Sequence, residues 1–393
     1  MPSQTPSSAV SADGQDRRKF TSGKVVGLSG ELDPTDDDLG VWVERYLDLA
    51  VRGVRSAEVT AKISRHLQRL RAWIGSGLGH ERVSAITARE LAAWRDHLAA
   101  AGWQRKDGSA AAMAPATVNN HLAHASALFS WISAHAPAAL LPGGDPSKRV
   151  EPLRLPAPEV RALNAAQVRT VKNVLDRLES FHQLNGRRHR GGASRGAAAA
   201  THRHARPLRD RAIVHTMLGT GLRRAEIAGL DLTQLQPREP EQLRRAKKAK
   251  LTGVRGKGRT TRSVFLGRDA RTALADYLQH ERGGDLAPDS TALFLAASSI
   301  AARQPDGRLS PRSINTIVGE IGAIHDLQVV GGDRQLGVLR PHDLRHTFAY
   351  LLSQASGHNR AELERRLGHA NERYLKLYTN PPEEIAASYV EDL

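Results

Sequence analysis

The 393-residue chain has no cysteine. Disulfides and thiolate metal sites are excluded, and a reducing cytoplasm is permitted. No long uncharged apolar run is present to span a membrane, and the polar N-terminus lacks the apolar core of a signal peptide. Negative charge is short: 41 acidic against 57 basic side chains give a formal charge of +16 and a pI near 10.6. Such an imbalance implies a polyanionic partner, nucleic acid first, because Lys and Arg that neutralise phosphates release condensed counterions. From Arg244 to Arg262 there is no acidic residue at all. Nucleotide-binding motifs are missing too. Gly219-Thr-Gly221 lacks the third glycine of Gly-x-Gly-x-x-Gly, Arg224 standing in its place, with no strand leading in and no Gly-Lys-Ser/Thr following. His342 and His346 have the spacing of a zinc pair, but Asp343 replaces the Glu of His-Glu-x-x-His, so a metalloprotease is rejected.

What is present falls into segments. Residues 1–36, rich in Ser, Pro, Gly and charge, read as a mobile arm that cannot bury a core. Residues 37–136 hold four amphipathic helical patterns, enough for a compact bundle. The third opens with a capping box at Thr87 and Glu90, and the fourth starts at Pro115, a first-turn proline. Trp73, Trp94 and Trp131 are read as core anchors rather than base-stacking platforms. Residues 137–160 are dense in Pro and Gly and read as an extended linker, with Lys148, Arg149 and Arg154 placed to cross a phosphate backbone.

A second domain, 161–393, begins with Asn164 as N-cap of a helix through about Glu179. Within it, 181–206 is a low-complexity insertion. Its His182, His189, His202 and His204 have no acidic or thiolate companions, so a basic DNA-contacting loop is preferred to a metal site. Ile213, Val214, Met217 and Leu218 form one apolar helix face, which the glycines end. Arg223 then opens another helix, where backbone N–H groups and the dipole favour an anion. A strand to Val254, a Gly256-Lys257-Gly258 tip and a return through Phe265 predict a hairpin; taken alone, that lysine reads as a solvated basic turn. Helices resume at about Asp269–Glu281 and at Ser310-Pro311. The fold class is mainly α, with a small antiparallel β-sheet in the second domain.

Gly-Leu-Arg-x-x-Glu at 221–226, Gly-Lys-Gly at 256–258, His-Asp-Leu-Arg-His-Thr at 342–347, Leu-Gly-His at 367–369 and Tyr-Thr at 378–379 occur in one order. Together they resemble the tyrosine recombinase (phage integrase) family, over the whole domain from about 160 onward. The N-terminal bundle and linker resemble the family's core-binding domain in kind only. The resemblance implies that Arg223 and Arg345 hold the scissile phosphate of DNA. It implies that Lys257 is the general acid for the 5′-oxygen, that His342 assists proton transfer and that His369 hydrogen-bonds the phosphate. Tyr378 is implied as the nucleophile that forms a 3′-phosphotyrosyl link. It further implies a site-specific recombinase or integrase acting on double-stranded DNA, as a tetramer on paired sites, in integration or in transposition of a mobile element. The expected location is a bacterial cytoplasm at the nucleoid. Room is left for an accessory DNA-bending factor, and no cofactor, metal or membrane is implied. The tail, 379–393, offers Ile385, Ala386, Tyr389 and Val390 as an apolar face of the kind the family docks on a neighbouring protomer.

The chemistry fits the inventory independently. Guanidiniums suit the charge that builds on equatorial phosphate oxygens, and a phenol needs help to lose its proton at neutral pH. Glu226 reads as an orienting partner for an arginine. Tyr374 and Tyr378 share one face of a helix, so helical geometry leaves both open; the family's spacing and the Tyr-Thr pair select Tyr378. Two other readings stand beside this one: a catalytically silent DNA-binding protein, and a DNA-relaxing enzyme like a type IB topoisomerase.

Overall fold

The computed structural model describes residues 36–104, 108–156, 161–182, 204–256, 260–329 and 334–368. The chain divides into two compact units, Met1–Ala157 and Pro158–Leu393. The first is helical: α1 (Leu39–Tyr46, continued by a π turn through Val51), α2 (Ala57–Leu78), α3 (Ala88–Ala101) and α4 (Pro115–His135), with a two-residue ladder of β1 (Trp103–Gln104) and β2 (Ala110–Ala111). Polar side chains start the helices as their residue types predict. Asp38, Ser56 and Thr87 accept backbone N–H groups at the starts of α1, α2 and α3, and Thr87 and Glu90 form the capping box. Trp94, Leu67, Leu70, Leu128 and Phe129 are fully buried between the helices, with Trp73 and Trp131 packed at the margin.

The Pro-rich stretch after α4 departs from the extended linker that its composition predicts. It makes two 3₁₀ turns, Ala138–Leu140 and Pro146–Arg149, and Leu140 is buried in the first unit's core while Leu153 packs against it. Asn119 locks the return, accepting from Leu153 N and donating to Leu153 O, both at 2.8 Å. Proline forbids regular helix there but not burial of the leucines around it.

The second unit contains α5 (Ala165–Asp176), α6 (Pro207–Thr220), α7 (Arg224–Ala228), β3 (Leu235–Gln236), α8 (Pro240–Arg245), β4 (Lys250–Arg255), β5 (Thr261–Phe265), α9 (Arg268–His280), α10 (Pro311–Gln328), α11 (Pro341–Ala355) and α12 (Arg360–Leu367). The sheet is antiparallel in the order β3-β4-β5. The fold is thus mainly helical with one small antiparallel sheet, as expected. The hairpin lies where the sequence places it; β3 is additional. A register shift between Leu251 and Val254 bends β4. Gln234 Nε2 satisfies the loosened carbonyls, donating to Thr252 O and Gly253 O at 2.8 Å each.

Helix α6 is the centre of this unit and packs against α9 and α11. It is buried around most of its circumference, including Arg209, Asp210, His215 and Thr216, rather than along the one apolar face its sequence suggests. A polar side chain tolerates such a place when its hydrogen bonds are made. Arg209 does so, donating to Asp210 Oδ1 at 2.8 Å and to Leu295 O at 3.0 Å. Tyr277 stacks on Phe294 and accepts from Leu295 N at 3.0 Å. Among the described residues no helix is long and apolar enough to cross a membrane.

The start of α6 makes one pH-dependent contribution. Glu281 accepts from Arg209 N at 2.7 Å and Leu208 N at 3.4 Å, yet burial, then Asp210, pushes its carboxyl up to about 7. Because the folded-state value lies above the unfolded one, folding takes up a proton between about pH 4.5 and 7. Stability from this group is fully present at the acid end of that window and is lost as pH rises through it. Glu281→Gln, which keeps an acceptor but cannot ionise, is expected to flatten the slope of unfolding free energy against pH there. Urea titrations at several pH values check this; an unchanged slope contradicts it.

Candidate functional site

The site is built where α6 ends. Gly221 terminates α6 in the left-handed region, φ +64°, and the chain turns at once into α7. Glycine is required here by the neighbour as well as by φ. A Cβ at this position would lie 2.4 Å from Phe348 Cδ1, so α11 can approach the turn only over a bare backbone. That approach brings Arg345, one turn inside α11, to the carbonyl of Gly221, to which Nη1 donates at 2.5 Å. Nη2 donates to Leu367 O at 2.7 Å, the last residue of α12. Arg345 is 2% exposed. Burial lowers its pKa to about 9, with the nearby Arg223 and Arg262 cations adding to the effect, and it remains protonated at neutral pH.

Arg223 is the N-cap of α7. Its backbone N donates to Glu226 Oε2 at 2.7 Å and its Nη1 to Glu226 Oε1 at 3.0 Å. The five-residue α7 therefore does not present the Arg223 N–H to an anion, as a bare helix start would; that N–H is engaged by the helix's own carboxylate. Anion affinity rests on guanidiniums instead. Arg308 fastens the other end of α7, donating to Ala228 O at 3.2 Å and Leu230 O at 3.0 Å.

Glu226 holds a second arginine that the motif reading does not single out. Arg262, on β5, donates to both carboxylate oxygens at 2.8 Å and from Nε to Arg366 O at 3.0 Å. Burial alone would raise the Glu226 pKa, but these bonds outweigh it and keep the carboxylate ionised. The expectation of one arginine partner for Glu226 is extended to two. Gly368 closes α12 at φ +62°, and a Cβ there would lie 3.2 Å from Arg262 Nη1. The Leu-Gly step of the Leu-Gly-His motif is thus a helix C-terminus whose orphan carbonyls are capped by two guanidiniums.

His342 stands on the first turn of α11, its ring partly open to solvent. Partial desolvation, then the Arg345 cation, lowers its pKa, so the imidazole is neutral near pH 7. His346 packs edge-on against it at 4.2 Å between ring centroids and is pushed down to about 4, chiefly by burial. The helix start is fixed by Asp343 Oδ2, which accepts from Arg340 N at 2.8 Å. Thr347 Oγ1 accepts from Leu163 N at 2.9 Å and ties α11 to the beginning of this unit.

The structure therefore brings Arg223, His342 and Arg345 within electrostatic reach of one another, with Glu226 bonded to Arg223 and Arg262. Lys257, His369, Tyr374 and Tyr378 lie outside the described residues, as do His189 and His202 of the insertion and the 379–393 tail. The described roots of two of these segments reach the site: Gly256 N donates to Thr260 O at 2.7 Å, closing the hairpin next to 257–259, and Gly368 ends α12. Of the other insertion histidines, His204 contacts Ser299 Oγ at 2.7 Å. Among the described residues no group of three or more His, Asp or Glu side chains is arranged to hold a metal ion.

Residues 196–384 match the phage integrase family model. Tyrosine recombinase XerC of Pseudomonas aeruginosa is 35% identical over 173 residues, 44% of this chain and 47% of that protein, and XerC of Actinobacillus succinogenes is 33% identical over 176 residues. The chain thus spans about half the length of the curated relatives it matches. Two solved structures share the fold: the Tn1549 transposon integrase in complex with circular intermediate DNA and the XerH site-specific recombinase bound to its difH substrate. For the first, TM-score is 0.58 at 17% identity, over 91% of this chain and 99% of that one. For the second it is 0.55 at 17% identity, over 92% and 97%. Residues 196–384, which carry Arg223, Glu226 and Arg345, thus form a segment that matches the phage integrase family model and is similar to the tyrosine recombinases.

Proposed function

We propose that the protein is a site-specific DNA recombinase that cleaves and rejoins DNA through a 3′-phosphotyrosyl intermediate. One observation carries the reading. Two guanidiniums, Arg223 and Arg262, bond the Glu226 carboxylate and a third, Arg345, lies within its electrostatic reach, so among the described residues positive charge outweighs negative there. A phosphodiester brings one negative charge and its five-coordinate transition state approaches two, so the excess is suited to the state that must be stabilised.

In the first step the Tyr378 phenol oxygen bonds to phosphorus and the bond from phosphorus to the 5′-oxygen breaks. The phenolic proton passes to His342, whose lowered pKa keeps it neutral and able to accept. Lys257 gives a proton to the departing 5′-oxygen. Arg223 and Arg345 hold the non-bridging oxygens, and His369 donates a hydrogen bond to one of them. The products are a 3′-phosphotyrosine and a free 5′-hydroxyl. Attack by the 5′-hydroxyl of a partner duplex reverses the step, releases the tyrosine and exchanges strands. The phosphotyrosine conserves the energy of the broken bond, so rejoining draws on no nucleotide.

Double-stranded DNA is the partner this assigns. The +16 charge supports it, and the Tn1549 integrase and XerH with which the fold is shared were solved on DNA. The first unit serves as a core-binding domain, and four copies act on paired sites in the cytoplasm, at the nucleoid.

The test is a nicked duplex carrying the sequence that the wild-type protein enriches from a random-sequence library. The wild type and Tyr374→Phe should become covalently attached to DNA, and Tyr378→Phe should not. Attachment by Tyr378→Phe would remove the nucleophile assignment.

A further inference from the structure

Arg262 sits in a run of basic residues and looks, in sequence, like one more surface cation. Its surroundings are different. The side chain is 11% exposed, and Nε, Nη1 and Nη2 are all engaged: the first by Arg366 O, the other two by the two oxygens of Glu226. It is therefore not a group that reaches for DNA.

We infer that Arg262 is a positioning residue that keeps Arg223 available to the phosphate, by binding the Glu226 carboxylate that would otherwise claim it. This rests on the recombinase reading above. Glu226 is 6% exposed and, as an ion, must be paired. Arg262 meets both of its oxygens with a parallel two-bond fork, the strongest geometry a guanidinium offers a carboxylate. Arg223 meets the same carboxylate with one side-chain bond, at 3.0 Å, and its side chain stays 34% exposed. Glu226 thereby orients Arg223 without neutralising it. Remove Arg262 and the buried carboxylate keeps one bonded guanidinium, so Arg223 is drawn into a closed ion pair with it. The link to Arg366 O, one residue before Leu367, whose carbonyl binds Arg345, joins the same frame to the second phosphate-holding arginine.

Competition predicts a pattern that loss of packing does not. In the nicked-duplex assay, Arg262→Gln should form the covalent complex about 10²-fold more slowly than the wild type, the cost typical of losing one preorganised donor in a reaction of this kind. Adding Glu226→Gln removes the competing charge, so the double variant should be at least about tenfold faster than Arg262→Gln alone, a non-additivity expected only of groups that interact directly. A second substrate isolates Arg223. With a methylphosphonate at the scissile position one non-bridging oxygen is replaced by methyl, so the diester carries no charge to neutralise. The gap between Arg262→Gln and wild type should narrow on it by at least about tenfold. Arg262→Lys keeps the charge in place and serves if the glutamine variant does not fold; it should stay within about tenfold of the wild type on both substrates.

A double variant no faster than Arg262→Gln, an equal gap on both substrates, or a lysine variant as slow as the glutamine one would each overturn the inference. A wild-type protein that attaches to neither substrate would overturn the recombinase reading instead.

Discussion

Arg345→Ala is expected to lose about 10³-fold or more in the rate of covalent attachment to DNA, and about 2–6 kcal/mol of stability. The two losses share a cause. Arg345 Nη1 and Nη2 reach the carbonyls of Gly221 and Leu367, so one guanidinium fastens the end of α6 and the end of α12 onto α11. Alanine leaves both carbonyls buried without these donors, at about 1–3 kcal/mol for each unsatisfied group. It also removes part of the charge excess that suits the site to a phosphate. Arg345→Lys separates the effects. An ammonium on a flexible stem keeps the charge and can meet one carbonyl, so stability should be partly restored while attachment stays about 10²-fold slow. Urea unfolding and the nicked-duplex assay measure the two quantities separately. An alanine variant that unfolds at the wild-type midpoint would mean that the two carbonyl bonds contribute nothing.

Gly221→Ala should be nearly as damaging without touching a charged group. An L-residue at φ +64° costs about 1–2 kcal/mol in backbone strain. The new methyl would sit 2.4 Å from Phe348 Cδ1 and 3.0 Å from Leu367 Cδ2, and overpacking of this kind costs about 1–3 kcal/mol more. The sum, about 2–5 kcal/mol, should appear as a large fall in the unfolding midpoint. Phe348 and Leu367 flank Arg345 on α11 and its α12 partner, so their displacement should disturb that arginine and attachment to DNA should fall as well. Gly219→Ala is the control two residues earlier. It lies within α6, the nearest atom to a built Cβ is Ala270 Cβ at 4.0 Å, and alanine there should be neutral or stabilising by up to about 1 kcal/mol. Similar losses at both glycines would contradict the close-approach argument.

Much of this arrangement is legible in the residues, for reasons that can be named. Capping chemistry is local, so Thr87 with Glu90, Asn164, and Ser310 before Pro311 mark helix starts where the structure has them. Arg223, His342 and Arg345 are found through motif resemblance; that Arg345 lies against Gly221 is a contact between residues 124 apart, and no local pattern encodes it. Three features escaped. Strand β3 is two residues long, too short to show alternation. The all-round burial of α6 is disguised by Arg209, Asp210, His215 and Thr216, residue types that read as a solvated face. Arg262 was hidden among neighbouring cations, although a signal existed. On β5 it alternates with exposed Thr261 and Ser263 and shares its face with buried Val264, so period two alone turns it inward.

The surplus of guanidiniums over carboxylate also has a thermodynamic meaning. In the free protein Arg345 lies close enough to Arg223 and Arg262 for their repulsion to lower its pKa. That repulsion is a standing cost to the folded state, and an oxyanion of suitable size relieves it. Folding and ligation are therefore linked: an anion that binds only the native site stabilises the fold by about 2.7 kcal/mol at a hundred times its dissociation constant. On the recombinase reading, the phosphate of the DNA backbone completes the site's charge balance as well as being the group acted upon.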